Sequence, residues 1–115
     1  MKEKEIENAI LQYLSLAYIS NGVFFKNQSV GIFDRNKGVF RRPMNRYHIK
    51  GSSDILGCVD GRFIAIEVKG AKGRLSLHQK EFLNNINEKG GLAFVARSIN
   101  DVKTNMEKLN EDKQN

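Results

Sequence analysis

The stretch Asp54–Gly70, DILGCVDGRFIAIEVKG, decides how this chain is read. Two apolar runs flank Asp60-Gly61, a dipeptide suited to a type I′ turn because both central residues there need positive φ. The spacing predicts strands over Asp54 to Val59 and Arg62 to Lys69, joined as a tight antiparallel hairpin. A two-residue turn fixes the register: residues whose numbers sum to 121 face each other, so Val59 meets Arg62 and Leu56 meets Ala65. The same rule sets Asp54 beside Glu67, with Cβ atoms about 4.5–5.5 Å apart on one face of the sheet. Lys69 follows on that face, whereas Ile64, Ile66 and Val68 point to the other.

Two carboxylates opposed on a sheet repel unless one is protonated or a cation lies between them. A hard divalent ion is the natural resolution, since Mg²⁺ takes oxygen ligands from one or two carboxylates and leaves positions for water and phosphate. A carboxylate at a frayed sheet edge, or a plain Glu67–Lys69 pair, is the blander alternative.

Around the hairpin, Ile6, Ile10, Tyr13, Leu14 and Ala17 recur at helical spacing, predicting an amphipathic helix from Glu3 to about Ser20, ended by Asn21-Gly22. Val23 to Lys26 fits a strand, and VGIFD is compatible with a further hairpin, while RNKG and RRPMNR read as turns. After GAKGR, a helix is expected over Ser76 to Glu88, stopped by Gly90-Gly91. A short buried strand, Leu92 to Ala96, and a last helix from Ser98 through Met106 and Leu109 complete the chain, with NEDKQN frayed. The order α-β-β-β-α-β-α predicts an α/β fold in which a central mixed sheet is flanked by helices.

At 115 residues the chain suits one domain spanning residues 1–115. Its 40% hydrophobic and 28% charged residues exclude a disordered or fibrous class, and no apolar run is long enough to cross a bilayer. The lone Cys58 allows no internal disulfide and no thiolate cluster, which fits an intracellular protein; a small buried apolar role is expected of it. The formal charge of +6 is localised. Lys26, Arg35, Lys37, Arg41, Arg42, Arg46 and Lys50 face only Asp34, so this segment carries the whole imbalance. With Phe33, Phe40, Tyr47 and His48 nearby, it reads as a footprint for a phosphate backbone and stacked bases.

The pattern D…E-x-K on a strand pair resembles the core of the PD-(D/E)xK nucleases. KGSSDILG followed by FIAIEVKGAKGRLSLHQKEFLNNINEKGGLAFVARSINDV is similar to the VRR-NUC (virus-type replication-repair nuclease) family, from Lys50 to Val102. Ser53 stands where the superfamily name has proline. The resemblance implies a restriction-endonuclease-like core, with Asp54, Glu67 and the backbone carbonyl of Val68 as ligands to Mg²⁺ or Mn²⁺. It implies that Lys69 activates water and stabilises charge on the phosphate, and that Glu7 reaches the metal from the first helix. On its own position, Glu7 equally fits a carboxylate that favours a helix N-terminus.

Gln79 lies on the core-facing stripe of the second helix, where the resemblance makes it an active-site residue. Ser76-Leu77-His78-Gln79 also fits a capping box in which its amide turns back to Ser76, and the two roles are expected to need different rotamers. His78 lies off the stripe and is expected to be exposed. The resemblance further implies a structure-selective DNA endonuclease, with phage-type four-way junction resolvases as the model for so small a chain. Two symmetric cuts suit a two-fold homodimer, in the cytoplasm of a bacterial host if phage-encoded. A nicking, flap or end-processing nuclease on other branched DNA, and a DNA-binding module on a retired nuclease fold, are the alternatives.

Overall fold

The computed structural model describes residues 1–27, 32–41, 47 and 49–113. Helix α1, Glu3–Ala17, opens with Glu3 and Glu5 in its first turn, where carboxylates favour the positive helix end. Its stripe of Ile6, Ile10 and Leu14 is buried. Strand β1, Gly22–Lys26, follows and pairs antiparallel with β4, Ile55–Val59. Between them β2, Ile32–Asp34, and β3, Val39–Arg41, form a separate two-stranded sheet. Strand β5, Arg62–Val68, pairs with β4 in the expected register, from Val59↔Arg62 to Ile55↔Ile66. Asp60 and Gly61 both have positive φ, 49° and 84°, as the I′ turn requires.

Helix α2, Leu77–Glu88, crosses over to β6, Leu92–Ala96, which lies parallel to β5. Such a parallel pair needs a crossover connection, and the helix supplies it. The four-stranded order is β1-β4-β5-β6. Helix α3, Ile99–Met106, capped by Ser98, and α4, Lys108–Lys113, end the described chain. The mixed sheet with flanking helices matches the expected class. The order gains the β2–β3 pair, and the last helix is divided in two.

Alternation on β5 divides the core. Ile64, Ile66 and Val68 join Ile10, Leu14, Ile55, Phe94, Val102 and Met106 in a main cluster. On the other face Ala65 and Ala93 meet Phe82 and Leu83 of α2 in a smaller one. Alanine at both sheet positions lets α2 approach closely. That helix covers only the β5–β6 half of its face, so Val23, Phe25 and Phe63 are 62%, 53% and 41% exposed. Cys58, expected to be buried, is half-buried for the same reason: it sits between Val23 and Phe63 in the uncovered row. Among the described residues no helix is long and apolar enough to cross a membrane.

Candidate active site

The chemistry-bearing residues gather at one end of the sheet, where β5 and β6 both finish, the end at which open α/β sheets bind ligands. The start of β4, the end of β1 and the first turns of the helices meet there. Asp54 sits one residue before the paired part of β4, and the Asn27 N–H donates to its carbonyl at 2.7 Å. Its Oδ2 accepts the Val68 N–H at 2.8 Å, which turns the carboxylate toward the end of β5.

Glu67 is 2% exposed. Its Oε1 accepts the Gln79 Nε2–H at 2.9 Å and lies 3.8 Å from the Lys69 ammonium. Its Oε2 is buried without a hydrogen-bond partner. Burial pushes the Glu67 carboxyl up to about 8, reinforced by the Asp54 charge and a hydrogen bond with Asp54, and opposed by Lys69. Burial therefore penalises a second negative charge beside Asp54. Glycine at position 73 suits the loop after Lys69, since a Cβ there would lie 3.2 Å from the lysine stem.

These residues fit a hard divalent ion. Glu67 Oε2 lacks a partner among the described residues and Asp54 lies beside it, an all-oxygen chemistry that suits such an ion, whose charge would offset the penalty of burial. Among the described residues no three or more His, Cys, Asp or Glu side chains gather into a metal cluster.

Gln79 resolves its two roles together. While its Nε2 holds Glu67, its Oε1 accepts the Ser76 N–H at 2.9 Å and its own N–H donates to Ser76 Oγ at 3.2 Å. The expectation of competing rotamers is corrected: one conformation satisfies both, because α2 begins directly beside Glu67. Glu7 is buried, 7% exposed, and its Oε2 lies 3.3 Å from Lys26 Nζ. Glu3, one turn earlier, adds to the negative field at Glu67. Sequence reasoning passed over Glu3; its place four residues before Glu7 on the same helix was the available signal.

The basic segment is divided. Lys26 is tied to Glu7, Arg35 and Lys37 are exposed at the β2–β3 turn, and Lys50 is exposed near the start of α2. Arg42, Arg46 and His48, and the side chain of Arg41, lie outside the described residues. His78 is exposed, as expected, with Nδ1 4.0 Å from Glu81.

The VRR-NUC domain matches residues 2–100. The chain belongs to the VRR-NUC family. Its members are nucleases of the PD-(D/E)xK type that act on DNA and generally use divalent metals. A solved structure described as a VRR_NUC domain protein superposes with a TM-score of 0.62 at 16% identity, covering 93% of this chain and 86% of that one. At that identity the likeness speaks for the fold alone. No curated protein matches the sequence.

Proposed function

We propose that this VRR-NUC chain is a divalent-metal-dependent, structure-selective DNA endonuclease that resolves four-way junctions as a homodimer. The observation that carries the reading is the buried Glu67 carboxyl, held by Gln79, with Lys69 3.8 Å away and Asp54 turned to the same end of β5. Asp54, Glu67 and the Val68 carbonyl would hold Mg²⁺ or Mn²⁺, and Glu7 would reach the ion through water. When bound, the ion supplies Lewis-acid stabilisation of phosphoryl charge and a more acidic water.

The chain's own residues do the rest. Gln79 fixes the Glu67 carboxylate from α2. The Lys69 ammonium, only 14% exposed, orients the attacking water and stabilises charge developing on the phosphate. Arg35, Lys37 and Lys50 hold the backbone of the duplex arms, joined by Lys26, Arg41, Arg42 and Arg46. The uncovered apolar row of Val23, Cys58 and Phe63, next to the open edge of β1, suits a second copy and supports the dimer.

An end-labelled four-way junction and a linear duplex of matched sequence test this in Mg²⁺ or Mn²⁺. Paired symmetric cuts in the junction alone, by a protein that sediments as a dimer, are expected. Equal cutting of both by a monomer would sink the junction reading. Salt-steep binding without cleavage would favour a DNA-binding module instead.

A further inference from the structure

Between α1, α3 and the loop after Lys69 lies a cavity of about 680 Å³. Ile6 and Ala9 of α1 line it together with Ile99 of α3, Ala71 and Arg97, and the polar Ser98 and Asn100 also border it. None of these residues belongs to the acid pair or its partners. Two links nevertheless join the cavity to the reacting groups. Ala71 follows Lys69 by two positions, and the Arg97 guanidinium donates to the Gly70 carbonyl while the Lys69 N–H donates to the Ala96 carbonyl. An occupant of the cavity would rest against the same backbone that carries Lys69.

We propose that this cavity receives an unstacked nucleobase of the strand being cut, next to the scissile phosphate. The inference rests on the nuclease reading above and gives its structure selectivity a physical cause. Apolar walls of isoleucine and alanine suit the flat face of a base, and such contacts tolerate any base because each has a π-face. Arg97 complements the negative backbone that the base brings with it, and its guanidinium plane can stack on the ring. A free anion would gain nothing from Ile6, Ala9 and Ile99, and a purely apolar ligand nothing from Arg97. The volume falls in the range of small-ligand pockets, about 300–1,000 Å³. A base inside continuous duplex must be unstacked to enter, whereas one at a branch point or end is already loosened. Branched DNA would therefore fill the cavity, and intact duplex would not.

The test uses the full chain and a branched DNA carrying a single abasic site, placed in turn at each nucleotide flanking the cut. Wild type is expected to lose about tenfold in cleavage rate at one of these positions, in line with stacking contributions measured for single bases. Ala9→Phe, which puts a ring into the cavity, should cut the intact branched DNA about as slowly as wild type cuts the abasic one. It should also no longer distinguish the two. Ile99→Ser removes apolar wall without adding bulk, and should shrink the same difference to about twofold; it stands as the second variant should a ring at position 9 disturb α1. Abasic sites that never slow wild type, or variants that keep the full tenfold difference, would overturn the proposal while leaving the nuclease reading intact. A wild type that cuts no DNA would overturn both.

Discussion

Replacing Glu67 with glutamine should make the metal-free protein more stable at neutral pH, even though it removes a proposed metal ligand. Glu67 has its carboxyl pushed to about 8 from an ordinary 4.5 by burial and by Asp54. A carboxyl raised in this way contributes stability that is fully present below the unfolded value and is lost as pH climbs from about 4.5 to about 8. At pH 7 the unfolded chain would ionise freely and the folded one would not. The penalty follows from 2.5 pH units at 1.36 kcal/mol each, about 3 kcal/mol as an upper figure. Glutamine removes it: it carries no charge to bury beside Asp54, and its oxygen can still accept from Gln79. In a domain of this size about 3 kcal/mol corresponds to a rise in Tm on the order of 10 °C.

Thermal melts followed by circular dichroism in EDTA, at pH 5, 7 and 8.5, measure this for wild type and Glu67→Gln. The wild-type Tm should fall across the series relative to the variant, with a difference below about 1 kcal/mol at pH 5. Added Mg²⁺ at pH 8.5 should restore wild type more than the variant. Parallel pH profiles, or a variant less stable than wild type at pH 7, would refute the claim that burial and the Asp54 charge hold the Glu67 carboxyl well above its ordinary value.

Other substitutions probe the support of the site. Ser53 is buried, and its hydroxyl has no partner among the described residues, so Ser53→Ala should stabilise by about 1 kcal/mol in denaturant titrations. Gly51 has φ of +81°, and a Cβ there would lie 2.5 Å from the His78 carbonyl carbon, so Gly51→Ala should destabilise by more than about 2 kcal/mol in the same assay. Gln79→Ala loses the tie to Glu67 and one capping bond together; a loss of about 1 kcal/mol in stability is expected, with a larger loss in kcat than in DNA affinity.

Much of this arrangement was legible because it is local. Asp60-Gly61 admits essentially one tight turn, and that turn propagates a register as far as Ile55↔Ile66, bringing Asp54 to the end of β5. Ser76 and Gln79 mark the start of α2 by a short-range hydrogen-bond pattern. What escaped depends on contacts distant in sequence. The stripe spacing turns Gln79 toward the sheet, but that its amide nitrogen meets Glu67 in particular follows from where the crossover sets α2. Arg97 lies 27 residues from the Gly70 carbonyl it meets, and only the parallel pairing of β5 with β6 brings them together. Lys26 lies in a basic run, and nothing in that run indicates the partner, Glu7, that the packing of α1 on the sheet gives it. Cys58 reads as buried by strand alternation, but how far α2 extends over the sheet, which alternation does not encode, leaves it half-covered.

The central claim is that Asp54, Glu67 and Lys69 form a metal-dependent phosphodiester-cleaving site. The most direct measurement is a time course on one end-labelled branched DNA with wild type, Asp54→Asn and Lys69→Ala, in Mg²⁺ and in EDTA, with binding measured on the same samples. Cleavage by wild type in Mg²⁺ alone, falling by about 10²-fold or more in both variants while binding persists, is the expected result. Cleavage that survives EDTA, or that Lys69→Ala leaves unchanged, would contradict the account.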